Sequence, residues 1–307
     1  NSARSTLSRI RQYPAFDVVL ETLKSYVSCH KIVTDLKNDF IQQRHWFQIA
    51  NLVSVNLPKI ENMTYGNVWE LNLLLHENSI KAIINQAMNE SVIEENIKDI
   101  ENVWSTITFD MFTYKGRHRL VKGWDVLFEQ CSNDLVALSN MRNSAYFATF
   151  EIQVTELESK LNNLYSLLDS WIESQKEWMY LDGVFGLDND LSQLLPVEKG
   201  RFNNISHEFF EFLKQAARYD LVLNILKIPD AQTTIDQIFE SLKRIRNSLS
   251  DYLEKQRELF PRFYFIGNED LLQIIGSGND VKIIGKNIAS MYPSIRAIEY
   301  RDENNSI

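Results

Sequence analysis

Phosphate binding is the first chemistry to test, because residues 280–287 read Asp280-Val281-Lys282-Ile283-Ile284-Gly285-Lys286-Asn287, a Gly-Lys pair at the spacing of a phosphate-cradling loop. Such a loop needs Gly where Asp280 stands, so that the backbone can close on phosphate, and a hydroxyl where Asn287 stands, to meet Mg²⁺. The segment also reads as the start of a helix rather than the end of a strand, and the assignment fails. The five histidines, His30, His45, His76, His118 and His207, have no His-x-x-x-His pairing and no cysteine at ligand spacing. No Gly-x-Ser-x-Gly elbow occurs, and acidic pairs such as Glu94-Glu95 and Asp188/Asp190 sit in charged surface stretches. No catalytic, cofactor-binding or metal-ligating residue is nominated. Cys29 and Cys131 stand far apart, and a reducing compartment is the plain reading.

One cluster has a chemistry of another kind. Lys115, Arg117, His118, Arg119 and Lys122 crowd the middle of ITFDMFTYKGRHRLVKGW, residues 107–124, where β-branched and aromatic residues flank Lys115-Gly116-Arg117 in the manner of a hairpin. Its basic tip is either a solvated turn whose charges deter edge pairing or a contact point for an acidic partner. Nucleic acid is disfavoured, since the chain carries a net charge of −9.

The elements that must position this hairpin are helices. Ten Gly and six Pro among 307 residues leave little room for frequent turns. Phe16, Val19, Leu20, Leu23, Tyr26 and Val27 form an apolar stripe in a first helix, and a second runs through Phe40-Ile41 and Trp46-Phe47 to Val53. Thr64 caps a short helix near residues 68–75, and a more polar one follows from His76 to Ile107. From Ser144 to Tyr180 there is neither Gly nor Pro, and Phe147, Phe150, Val154, Leu157, Leu161, Leu164, Leu168 and Trp171 recur in a heptad-like seam. A second long helix spans Thr233–Leu259, with Ile235, Ile238, Leu242, Ile245, Leu249 and Tyr252 on one face. Gly183 and Gly186 follow the first seam as helix cap or as pivot. Phe260-Pro261-Arg262-Phe263-Tyr264-Phe265 follows the second, with Arg262–Ile266 extended and Asn268 capping a short helix that Gly276 closes. A helix through Ala289, a turn at Pro293 and a strand at Ser294–Tyr300 end the chain.

No apolar run approaches the ~20 residues that span a bilayer, and the opening NSARSTLSRI lacks an initiator Met and an apolar core, so the chain reads as a piece of a longer protein. The sequons at Asn62, Asn89, Asn204 and Asn304 read as chance in an Asn-rich chain.

Six ordered landmarks resemble the linker region of dynein heavy chains: Arg44-His45-Trp46; Trp104 to Phe112; Asn140–Phe150; Leu168-x-x-Trp171-x-x-x-Gln175-x-x-Trp178-x-Tyr180-Leu181 with Val184-Phe185; Gln193-Leu194-Leu195-Pro196-x-Glu198; and Phe260–Phe265 before Asn268-Glu269-Asp270-Leu271-Leu272. Gly267 before Asn268 brings it nearer the cytoplasmic than the axonemal members. It departs from the family at Gly123-Trp124-Asp125 and at Phe209-Phe210. The resemblance implies a mainly α, elongated rod of stacked helical bundles with a small hairpin and minor strands. N-terminal bundles would occupy residues 1–143 and C-terminal bundles 144–307, the last incomplete. It implies a non-enzymatic mechanical lever of a microtubule motor, which docks across a AAA+ ring of the same heavy chain and changes shape with the ring's nucleotide state. The ring contact would be Lys115, Arg117, His118, Arg119 and Lys122, and bending would fall between the bundles flanking Ser144–Gly186, at Gly183 and Gly186. ATP and Mg²⁺ belong to the parent motor, with no cofactor here, and microtubules are reached only through other parts of it. No nucleic acid or membrane partner is implied, and the location is cytoplasmic, with the cytoskeleton. The other reading is a helical adaptor or tether of a different cytoskeletal or trafficking complex.

Overall fold

A computed structural model of the chain describes residues 13–54, 64, 66, 73–116, 118–185, 195–276 and 281–295. They are mainly helical: α1 (Pro14–Leu36), α2 (Gln43–Val53), α3 (Glu77–Trp104), α4 (Trp124–Met141), α5 (Glu151–Phe185), α6 (Pro196–Ala216), α7 (Ala231–Leu259), α8 (Asn268–Gly276) and α9 (Val281–Met291). Between α3 and α4, strands β1 (Asp110–Tyr114) and β2 (His118–Lys122) pair antiparallel, Met111 opposite Val121 and Tyr114 opposite His118. Short 3-10 turns occur at Leu73–His76, Phe147–Thr149, Val222–Lys227 and Pro261–Phe265. Pro14 and Pro196 open their helices, where the missing N–H costs nothing because it would have no helical acceptor.

The chain divides into two compact units, residues 1–101 with 137–155, and residues 102–136 with 156–307. In the first, the C-terminal third of α1, α2, the turn at Leu73–His76 and α3 close over Cys29, Ile32, Leu36, Trp46, Ile49 and Ile80. The expected stripe on α1 is not core: Val19, Leu20, Leu23, Tyr26 and Val27 are exposed, and burial begins only at Cys29. Their spacing is helical, but no described element covers them. Phe40 and Ile41 lie in the turn before α2 rather than within it.

In the second unit the α5 seam is buried as its spacing predicts, from Leu157 through Leu161, Leu164, Leu168 and Trp171. The opposing face of α7 buries Ile235, Ile238, Leu242, Ile245 and Leu249, with Leu253 completing the stripe. α6 packs along α7, and β2 rests on α6. The long helix starts at Glu151, not Ser144, because residues 144–150 form turns ending in a 3-10 segment. At 35 residues it is still about 52 Å long at 1.5 Å per residue.

Two local expectations fail near the end. Of Arg262–Ile266 only Ile266 is extended: Pro261 opens a 3-10 turn that holds residues 261–265. Aromatic richness favours strands only where a neighbouring strand exists to pair with, and none lies beside it among the described residues. Asn268 is the first residue of α8 rather than its cap: the Gly267 carbonyl accepts the Leu271 N–H at 3.0 Å, and the Asn268 side chain is taken by Arg257 at 2.6 Å. The turn at Pro293 is present. The short helix near 68–75 and the closing strand fall mostly outside the described residues.

Candidate functional site

Trp171, Gln175, Trp178 and Asp182 are spaced four, three and four apart, which puts them on one stripe of α5. Each grips the hairpin or the chain leading into it. Trp171, fully buried, meets the Phe109 ring edge-on at 5.3 Å and the Phe212 ring of α6 at 5.3 Å. Gln175 clamps the backbone of Val121: its Oε1 accepts the Val121 N–H at 3.1 Å, and its Nε2 donates to the Val121 carbonyl at 2.8 Å. Both bonds leave the hairpin, so Gln175 occupies the open edge of β2 as a neighbouring strand would. Trp178 receives Tyr114 at 5.7 Å and His118 at 6.1 Å, and its Nε1 donates to Ser206 of α6 at 2.9 Å. Asp182 accepts from the Tyr114 hydroxyl at 3.2 Å and from Lys115 Nζ at 2.5 Å.

This hub consumes much of the basic tip. Lys115 is spent on Asp182, whose hydrogen bond raises the ammonium above its ordinary 10.5. Lys122 faces Asp110 at 3.4 Å. His118 stacks on Phe210 at 3.5 Å, nearly parallel, so one of the two residues that depart from the family pattern supports the hairpin, while Phe209 is wholly buried. Arg119 is exposed, and Arg117 lies outside the described residues. The turn is strained: Lys115 and Gly116 have φ of 47° and 70°. A left-handed lysine costs roughly 1–2 kcal/mol, and here it aims Nζ at Asp182.

The Arg44-His45-Trp46 landmark builds a second, buried network in the first unit. Glu90, 1 % exposed, accepts from Arg44 at 2.8 Å, His45 Nε2 at 3.1 Å and Gln86 at 2.7 Å. The Gln42 N–H donates to His45 Nδ1 at 3.0 Å, closing a capping box at the start of α2. That bond fixes the tautomer: Nδ1 is the acceptor, so the ring proton is on Nε2 and points to Glu90. Trp46 turns into the apolar core instead.

Among the described residues no three His, Cys, Asp or Glu side chains converge as metal ligands. A cleft of about 430 Å³ lies in the second unit, with Tyr180, Arg246, Asn268, Glu269 and Asp270 along its walls. Arg246 is committed there to Glu177 and to the Tyr180 ring. Gly183 sits inside the last turn of α5 with helical backbone and open space where a Cβ would go; Gly186 falls outside the described residues. In the family motif, Phe260, Tyr264 and Phe265 are exposed and Arg262 lies over the Phe265 ring. The sequence motif through Leu181 includes Gln175 without assigning it a role, and Asp182 lies just past the end of that motif. The signal was present: two polar residues interrupt an otherwise apolar stripe next to the tryptophans.

The chain as a whole is similar to known proteins. The profile described as "Dynein heavy chain, N-terminal region 2" matches residues 1–307. A cytoplasmic dynein heavy chain of Fusarium vanettenii is 40% identical over 303 residues, 98% of this chain and 7% of its own length. That of Dictyostelium discoideum is 37% identical over 300 residues, 98% of this chain and 6% of its own, and that of Drosophila melanogaster 35% over 300 residues with the same coverage. The chain thus spans under a tenth of the length of these relatives. With its landmarks assembled into one hub, a buried carboxylate network and an ordered aromatic turn, the chain belongs to the dynein heavy chain family, in the N-terminal region 2 of that chain.

Proposed function

We propose that this region is a mechanical lever, the linker of a microtubule motor, which docks across a AAA+ ring of its own heavy chain and transmits the ring's nucleotide state as movement. The observation that carries this reading is the four-residue stripe on α5. A lever must pass force from a surface feature into a stiff element without intervening slack. Here a hairpin is fixed to a 35-residue helix by a ring contact, a two-bond backbone clamp, an aromatic cage and an ion pair. The region performs no catalysis of its own on this reading, and ATP with Mg²⁺ would act in the ring. The location would be cytoplasmic, with the cytoskeleton, and microtubules would be met by other parts of the heavy chain. No described helix is long and apolar enough to cross a membrane.

The test is a full-length motor carrying Gln175→Ala with Asp182→Ala, assayed for ring ATPase and for microtubule gliding. The expected outcome is retained ATPase with slowed gliding, since the hub is loosened while the ring is untouched. Unchanged gliding would overturn the reading. The tip is the proposed ring contact. With Lys115 and Lys122 paired internally, Arg119 and Arg117 are the residues to reverse, and docking that survives Arg117→Glu with Arg119→Glu would remove the tip from the interface.

A further inference from the structure

The turn after α7 exposes an apolar run that a folded chain ordinarily hides. Leu259 is 78% exposed, Phe260 39%, Tyr264 55% and Phe265 64%. Consecutive exposed apolar residues are destabilising to solubility unless they serve a contact. This run is also held rigid. Phe260 packs edge-on against Phe263 at 4.8 Å, backbone bonds link Phe263 to Phe260 and Ile266 to Phe263, and Ile266 is buried beneath. The Tyr264 hydroxyl donates to Glu254 at 2.6 Å. A ridge fixed in this way loses little entropy on being covered.

Its cation is unspent. The Arg262 guanidinium lies over the Phe265 ring at 5.8 Å and the Tyr292 ring at 5.1 Å, and no ion pair joins it to a carboxylate among the described residues. Arginine stacked on aromatic rings keeps its N–H edge free for a bidentate carboxylate. Exposed arginine and tyrosine side by side are also the residue types that concentrate binding energy at interfaces.

Size decides among occupants. At about 200 Å² for each full side chain, the exposed fractions of the four residues leave roughly 450 Å². That is about half of the ~800 Å² per partner found in stable interfaces between separate proteins. A second copy held by this face alone would fall apart. A segment joined covalently to the ridge needs no such area, because tethering supplies a millimolar effective concentration, and the relatives are more than ten times the length of this chain.

We infer that the Leu259–Phe265 ridge is a docking surface for another segment of the same heavy chain, apolar and carrying an Asp or Glu that engages Arg262. The inference rests on the lever reading and names one of its contact surfaces.

The experiment places p-benzoylphenylalanine at Phe265 in the full-length heavy chain, mixes isotopically heavy and light copies, and maps photocrosslinks by mass spectrometry. The expected result is a crosslink within one chain, to an apolar peptide containing an acidic residue. Arg262→Glu should lower its yield several-fold, and Lys at the crosslinked acid should restore it. Because Arg262 is exposed, circular dichroism of that variant should match the parent. Heavy-to-light crosslinks, crosslinks to a different polypeptide, or none at all would each overturn the inference. A missing crosslink in a motor whose lever still moves with nucleotide overturns the ridge alone. A crosslink in place while the lever stays still overturns the lever reading alone.

Discussion

Replacing Gln175 by Ala removes both bonds to Val121 at a place where water cannot replace them, since Gln175 and Val121 are each 1% exposed. Each stranded backbone group costs about 1–3 kcal/mol, so the substitution should destabilise the second unit by roughly 2–6 kcal/mol. That is a large share of the 5–15 kcal/mol typical of a domain, and at about 2–4 °C per kcal/mol for a unit of this size the melting point should fall by roughly 4–24 °C. Gln175→Glu separates the two bonds. An ionised carboxylate still accepts the Val121 N–H but opposes the Val121 carbonyl, whereas a protonated one donates to it. The folded state therefore favours the protonated acid and raises its pKa above the unfolded value. The stability is present below the unfolded pKa and lost as pH rises through the folded one, so Gln175→Glu should recover on acidification and Gln175→Ala should not. Chemical denaturation gives the energies, and amide exchange at Val121 reports the clamp directly. A loss under 1 kcal/mol for Gln175→Ala, with Val121 exchange unchanged, would refute the reasoning.

Three further outcomes follow from the same geometry. Glu90→Ala leaves Arg44 and His45 against each other without their shared carboxylate and should cost about 3–5 kcal/mol, read by denaturation of the chain. Burial, with Asp134 nearby, raises the Cys131 thiol from 9.0 to about 11, so the folded state holds its proton more tightly. That contribution is intact below pH 9 and declines as pH rises from about 9 to 11, by roughly 3 kcal/mol in all. A melting-temperature series across that range checks it, with Cys131→Ala removing the decline. Gly183→Ala should strengthen the last turn of α5 by about 0.5–1 kcal/mol. On the pivot reading, Ala at Gly183 and Gly186 should also slow the swing without stopping ring ATPase, and unchanged swing kinetics in stopped-flow fluorescence would dismiss the pivot.

Where one physical cause dominates, the sequence is readable. The seams of α5 and α7 announce themselves because each buried face repeats at helical spacing over many turns. The hairpin shows because β-branched and aromatic residues change period around Lys115-Gly116. The exposed stripe of α1 has the same spacing as a buried one, and spacing says nothing about what lies opposite it. The turn at Pro261–Phe265 is not legible because aromatic content suggests a strand, while the partner that a strand requires is a tertiary fact. Asn268 has the chemistry of a cap, but Arg257, eleven residues earlier, takes its side-chain oxygen instead. The site was half legible: basic residues near Lys115 stood out as a cluster, but two were already neutralised by Asp182 and Asp110 from flanking elements. The residues that organise the site, Gln175 and Asp182, are ordinary helix-surface types whose roles depend on what the fold brings against them.

The central claim concerns movement, and distance tests it most directly. A donor dye on Val126→Cys, exposed at 70%, can be paired with an acceptor on the AAA+ ring in the full-length heavy chain, and the buried Cys29 and Cys131 thiols should stay unlabelled. Energy transfer is then followed as the ring binds and hydrolyses ATP. A lever predicts at least two distances that interconvert with nucleotide state; a single distance throughout turnover would contradict it.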